Sequence, residues 1–137
     1  MSGRTMREAL EAKDIDAVEA MLADDVVFRS PVAFAPYPGK PITSAILRAV
    51  VQVFADFRYV REIGGPEEGE HALVFEATVD GLDITGCDFL TWRDGQVREF
   101  MVMVRPLKAA QALAAAMAER YPAIQAEAQA RSAASTE

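Results

Sequence analysis

Cysteine and histidine are almost absent: the 137 residues hold one of each, Cys87 and His71. A lone cysteine excludes an internal disulfide. One histidine and one cysteine leave no ligand set for zinc or iron, so neither a metal nor any other cofactor is expected. Basic charge is also short, with 14 Lys and Arg against 21 Asp and Glu, for a formal net charge of −7. No basic stripe is visible, which sets nucleic acid and anionic membranes aside as partners. No apolar run approaches the roughly 20 residues a bilayer crossing takes. The opening MSGRTMREALEA is polar and helix-like, without the apolar stretch of a signal peptide. These absences together lead us to expect a cytoplasmic protein. Repeats and linkers are missing too, so one domain is expected, with an ordinary-sized core.

What is present is a change of period halfway along the chain. Residues 6–12 read as a helix. Asp14 can cap a second at 15–23, where Ile15, Val18, Met21 and Leu22 recur at helical spacing. Asp24 and Asp25 break that pattern, and 26–30 (VVFRS) reads as a short strand. Residues 31–41 carry four prolines and a glycine, hence a loop, with a short extended piece at Ala33 and Phe34. A third helix starts near Thr43, with Ile46, Leu47, Val50, Val51 and Phe54 on one stripe. From Phe57 the pattern turns to strands at 57–63, 71–80, 82–92 and 96–105, with turns at Asp80-Gly81 and Asp94-Gly95. Pro106 suits the first turn of a last helix. Segregated helices and strands predict an α+β fold: a curved antiparallel sheet wrapped on N-terminal helices, with a C-terminal helix. Residues 1–119 are expected to form the domain, and 120–137 a helical or disordered extension whose last residues are disordered.

The strand at 82–92 (LDITGCDFLTW) carries an acid in an unusual place. Side chains alternate with period two, so Asp88 shares a face with Ile84, Gly86, Leu90 and Trp92. A carboxyl on an apolar face is costly unless it is paired, hydrogen-bonded or neutral. Desolvation by Leu90, Phe100 and Val102 should raise its pKa. Two readings stay open: a general acid or hydrogen-bond donor to a ligand, or a structural acid bonded to Tyr, Trp or backbone.

Four segments carry a family resemblance: AKDIDAVEAMLADDVVFRSPV at 12–32, YPGKPITSAILRAV at 37–50, DFRYVREI at 56–63 and GCDFLTWRDGQVREFMVMVRP at 86–106. In this order and spacing they resemble the nuclear transport factor 2-like superfamily, within it the SnoaL-like and ketosteroid isomerase branch. The resemblance implies a cone-like, cystatin-like roll whose concave face lines a mostly apolar cavity and whose convex face forms a homodimer. In ketosteroid isomerase an acid just before a proline shuttles the proton, while a tyrosine and a protonated aspartic acid form an oxyanion hole. Asp88 matches the second acid. The shuttle position falls on Ser30, before Pro31, and the tyrosine position falls near Met6. A serine without a base beside it cannot remove a carbon-bound proton. Limonene epoxide hydrolase, another relative, needs two acids around an arginine; only Asp88 is placed, with Arg29 and Arg98 as candidate arginines. SnoaL-type cyclases rely on a cavity aspartate, a role open to Asp88.

The candidate pocket residues are Ser30, Tyr37, Tyr59, Leu73, Phe75, Ile84, Leu90, Trp92, Phe100, Val102 and Val104. Tyr37 and Tyr59 could present a phenol to the cavity, although a plain core or loop position is the favoured reading. His71 is expected on a solvated rim at a strand start. Cys87 falls on the face opposite Asp88 with no base implied beside it. Met101 and Met103 make both sides of the last strand apolar, so its outer face should meet a second copy of the chain. The expected function is binding of a small apolar or cyclic ligand in a cavity holding Asp88. The alternative is a cofactor-independent isomerase, cyclase or hydratase in which Asp88 is general acid or proton shuttle.

Overall fold

The structure, a computed structural model, describes residues 3–135. Helix α1 (Met6–Glu11) starts with a capping box. The Thr5 hydroxyl accepts from the Glu8 N–H, and the Glu8 carboxylate accepts from the Thr5 N–H. Helix α2 (Ile15–Met21) begins at Asp14, whose carboxylate accepts from the Ala17 N–H at 3.2 Å, a cap that contributes about 1 kcal/mol. The chain then passes directly into β1 (Leu22–Arg29), earlier than β-propensity alone indicates. Leu22 and Ala23 are fully buried in this strand, and an irregularity between Leu22 and Val27 accommodates the exposed Asp24 and Asp25.

The proline-rich loop holds only a two-residue strand, β2 (Tyr37–Pro38). No strand forms at Ala33 and Phe34, and the Phe34 side chain stands in solvent. Helix α3 (Lys40–Val53) begins before Thr43 because Pro41 occupies its first turn, where a missing N–H is harmless. The meander follows as β3 (Ala55–Gly64), β4 (Glu70–Val79), β5 (Leu82–Arg93) and β6 (Gln96–Arg105). At both hairpin turns the Asp and the Gly have positive φ, the conformation that an Asp-Gly turn supplies.

The six strands lie in the order β2-β1-β6-β5-β4-β3. Every pairing is antiparallel except β1 with β6, which is parallel, so the sheet is mixed. The exception has a topological cause: β1 and β6 are separated by α3 and the whole meander, and a long crossover permits a parallel pair. Helices α3 and α4 (Leu107–Ser135) cover one face of the sheet. On that face Leu73, Phe75, Ile84, Leu90, Val97 and Phe100 are buried. On the other, Phe89 and Met103 are 39% and 54% exposed.

Helix α4 continues through Pro122 to residue 135. Its far half is held down by buried Ile124 and by an ion cluster. Arg131 reaches Glu19 at 2.9 Å and Glu127 at 3.0 Å, while Arg48 reaches Asp16 at 2.6 Å and Glu127 at 3.6 Å. The expectation of a disordered end falls partly on 136–137, outside the described residues. No helix among the described residues is long and apolar enough to cross a membrane.

Candidate functional site

Asp88 lies at the middle of the sheet. It is paired with Leu73 on β4 and Val102 on β6, and only 5% of it is exposed. The Tyr59 hydroxyl donates to Asp88 Oδ2 at 2.5 Å. Among the described residues, no hydrogen bond reaches Oδ1. Burial pushes the Asp88 carboxyl up to about 7, against the partial opposing effect of the Tyr59 hydrogen bond. Burial, and then the neighbouring Asp88, hold the Tyr59 phenol well above its ordinary value. Near neutral pH, Asp88 is therefore shared between carboxylate and carboxylic acid. In the acid form it can accept from Tyr59 through Oδ2 while Oδ1–H donates to another group.

Tyr59 is aimed inward by local backbone irregularity. Strand β3 is an edge strand, and its register against β4 shifts on either side of Tyr59, between Ala55 and Arg58 and between Tyr59 and Arg61. Such bulges bend a strand and re-aim its side chains. Tyr59 is the one buried residue of β3. Its backbone groups face α1: the Tyr59 N–H donates to Glu11 Oε2 at 3.0 Å, and its carbonyl accepts from Arg7 Nη2 at 3.0 Å. These two bonds cover the free edge and fix the phenol's position.

Asp88 and Tyr59 open onto a cavity of about 60 Å³. Its walls are apolar, formed largely by Leu47, Val50, Val51 and Phe54 from α3 and its C-cap, Phe57, Phe75 and Phe100 from the sheet, and Leu113 from α4. Rings crowd one end. Phe57 lies 5.0 Å from both Tyr59 and Phe75, and Phe54 lies 5.3 Å from Phe75. Gly86, two residues before Asp88 on the same face, makes room for this cluster. A Cβ there would come within 2.3 Å of the Phe75 ring. A second chamber of about 450 Å³ adjoins the first, lined by Tyr37, Val32 and the α4 residues Ala114, Met117, Ala118, Tyr121 and Ile124. Phe28, Ser30, Ile46 and Met117 line both and form the neck between them.

The expected site residues divide into three groups. Asp88, Ser30, Tyr59, Phe75, Phe100 and Val102 line the inner cavity. Tyr37 lines only the outer chamber. Leu73, Ile84, Leu90, Trp92 and Val104 line neither. The first three are packed in the core, Val104 packs against it, and the Trp92 indole N–H donates to His71 Nδ1 at 3.2 Å. Alternation places these side chains on the correct face, but the helices fill the space over them. Ser30 Oγ accepts from the Val32 N–H at 3.0 Å, so the hydroxyl at the expected shuttle position organises its own loop.

His71 is not on a solvated rim. It is 5% exposed, with Nε2 2.8 Å from Glu62 Oε2 and Nδ1 on Trp92. Arg29 and Arg98 turn away from the cavity, to Glu99 at 2.7 Å and Asp25 at 2.9 Å. Cys87 is half-buried on the opposite face, and burial pushes its thiol up, away from nucleophilic reactivity. The apolar stripe of α3, to which the sequence assigns no site role, is the cavity's helical wall: Ile46, Leu47, Val50, Val51 and Phe54. Nor does the sequence assign one to Leu10, Phe57, Leu113 or Met117. Among the described residues, no three His, Cys, Asp or Glu groups converge to hold a metal ion.

The SnoaL-like domain profile matches residues 4–100. A bacterial protein with a cystatin-like fold from Silicibacter pomeroyi is 36% identical and superposes with a TM-score of 0.80, over 85% of this chain and 82% of that one. A steroid delta-isomerase from Pseudomonas aeruginosa is also 36% identical, with a TM-score of 0.79 over 86% and 87% of the two chains. An epoxide hydrolase from M. tuberculosis, described as LEH-like, is 19% identical with a TM-score of 0.57, over 83% and 87%, and shares the fold alone. No curated protein matches the sequence significantly. The profile match and the two closely superposing structures establish that the chain belongs to the SnoaL-like domain family.

Proposed function

We propose that the protein binds a small apolar, cyclic ligand and places one ligand oxygen at Asp88. The observation that carries this reading is a buried carboxyl, raised to about 7, that opens onto an apolar cavity with one oxygen free of protein partners. An apolar site with a few convergent polar groups is the usual form of a small-molecule site. The inner cavity, about 60 Å³, has room for about two waters or the oxygen-bearing end of a ring. The outer chamber of about 450 Å³ would take the ring system. A thermal-shift screen with steroid enones, phenols and polyketide-like ketones tests this. At least one probe should raise the Tm of the wild type and raise that of a folded Asp88→Asn variant much less. Equal shifts in both proteins would remove Asp88 from the site, and no shift with any probe would count against a ligand of this class.

A second reading is a cofactor-independent isomerase, cyclase or hydratase with Asp88 as general acid or proton shuttle. It is favoured by a carboxyl near 7, where a general acid–base group is most effective, and by the likeness to a steroid delta-isomerase. Among the described residues Asp88 is the one carboxyl lining the two chambers, and Ser30 stands at the shuttle position. One group would therefore have to take a proton from the carbon beside a carbonyl and return it to another carbon. A β,γ-unsaturated steroid ketone incubated in deuterated water reads this out, as conjugated enone absorbance and as deuterium in the product. Neither signal would appear if the protein only binds.

For assembly, we propose a two-fold dimer through the outer face of the sheet. Cross-strand neighbours Phe89 and Met101, and Cys87 and Met103, put an apolar strip there, continued by exposed Val60 and Ile63 on β3. Met103→Lys should convert the dimer to monomer in sedimentation while leaving the fold intact. A wild type that already sediments as a monomer would refute this arrangement.

A further inference from the structure

The outer chamber has an origin of its own. The family profile stops at residue 100, whereas the chamber's longest wall comes from α4, residues 114–124. That wall is preformed: Ile124 is 3% exposed, and Arg131 bonds to Glu19 on α2 at 2.9 Å just beyond it. The chamber is mostly apolar, but two phenols lie in its lining. Tyr37 comes from β2 and Tyr121 from α4, with ring centroids 6.3 Å apart at an interplanar angle of 57°. Each is half-buried. Burial, and then the neighbouring Tyr121 to which it is hydrogen-bonded, raise the Tyr37 phenol; beside its apolar ring each of the paired hydroxyls keeps a further bonding site for a ligand oxygen. Pro122 follows Tyr121 directly. Lacking an N–H, it leaves the carbonyl of Ala118, another chamber residue, without its usual helical donor.

The two chambers thus have polar groups at opposite ends of an apolar passage. Asp88 and Tyr59 stand at the inner end, Tyr37 and Tyr121 in the outer, with Phe28, Ile46, Met117 and Ser30 between, the Ser30 hydroxyl being engaged by the Val32 N–H. We propose that Tyr37 and Tyr121 form a second polar anchor, which selects elongated apolar ligands bearing an oxygen at each end. The selectivity then lies in β2 and α4, and the inner cavity supplies the shared recognition of one oxygen. A ligand with a single oxygen binds through the inner end only. This inference rests on the ligand-binding reading above and specifies its ligand class.

The test uses the full-length protein and two probes: androstenedione, and its analogue without the ketone on the far ring. Each is titrated against wild type, Tyr37→Phe, Tyr121→Phe, the double variant and Asp88→Asn. Removing a hydroxyl from a half-buried phenol leaves the packing ring in place, and circular dichroism confirms the fold of each variant. Wild type should prefer the dione by about tenfold, the size of one good hydrogen bond. The double Phe variant should lose that preference while binding the mono-oxygenated analogue as wild type does. Equal binding of both probes by wild type, or a preference that survives in the double variant, overturns the second anchor alone. The ligand-binding reading still stands in that case if Asp88→Asn weakens both probes. If neither probe binds wild type, the proposed ligand class and the anchor fall together.

Discussion

Two buried polar clusters occupy the same face of the sheet, and they differ in what surrounds them. In one, Asp88 accepts from Tyr59 and faces a cavity with its second oxygen unbonded. In the other, His71 accepts from the Trp92 indole at Nδ1 and meets Glu62 at Nε2, and neither His71 nor Trp92 lines a chamber. Each pairs a titratable side chain with an aromatic donor, and each core group is about 5% exposed. The imidazole has both nitrogens bonded, so that cluster ties β3, β4 and β5 together. The carboxyl keeps one bonding site open toward empty space. Burial of a polar group thus marks a constraint, and an unused hydrogen-bonding site beside a cavity is what the proposed ligand oxygen would fill.

The largest expected effect separates the clusters by pH. The folded-state pKa of Asp88, about 7, lies above its unfolded value, so the folded chain holds a proton that the unfolded chain has released. The ionisation-linked cost of this burial is absent below about pH 4, where both states are protonated. The cost grows as pH rises and levels off above about pH 7, at about 4 kcal/mol. Urea unfolding of wild type across this range should therefore show stability falling with pH. Asp88→Asn should flatten the part due to this group and be the more stable protein on the alkaline side. A variant with the same slope as wild type would mean that Asp88 is ionised in the fold.

A smaller effect is expected at the other cluster. Trp92→Phe keeps an aromatic ring but removes part of the packed volume and leaves His71 Nδ1 without its donor, which together should destabilise the fold by at least about 1–3 kcal/mol. Because neither residue lines a chamber, affinity for any Asp88-dependent probe should not change. If Trp92→Phe weakened binding as much as Asp88→Asn, the distinction between the two clusters would fail.

Much of this could be read before the structure, for reasons that also explain the misses. Strict alternation along 82–92 gave the face of Asp88 correctly, because a half-buried strand allows only two faces. Alternation says nothing about depth along a face. Leu73, Ile84, Leu90 and Trp92 share the inner face with the cavity wall, yet they lie where helices fill the space. Tyr59 needed more than period: its inward aim comes from bulges on an edge strand and from Arg7 and Glu11, more than 45 residues away in sequence. His71 looked like a rim residue because it opens its strand. Its burial depends on Trp92, reached only through the β4–β5 pairing that sets His71 opposite Leu90. The outer chamber was the hardest to foresee, since the alanine-rich second half of α4 carries little apolar pattern and is positioned by ion pairs to α2 and α3.

The proposed site depends most on the protonation of one carboxyl. Carbon-detected NMR titration of the Asp88 side chain measures it directly, in wild type and in Tyr59→Phe. The wild-type carboxyl should titrate near about 7, with burial as the main cause. Tyr59→Phe removes the bond that favours the carboxylate, so its midpoint should lie higher than that of wild type. A wild-type midpoint near the ordinary value of about 4, unmoved by Tyr59→Phe, would contradict the claim that Asp88 is a buried acid poised to donate a proton into the cavity.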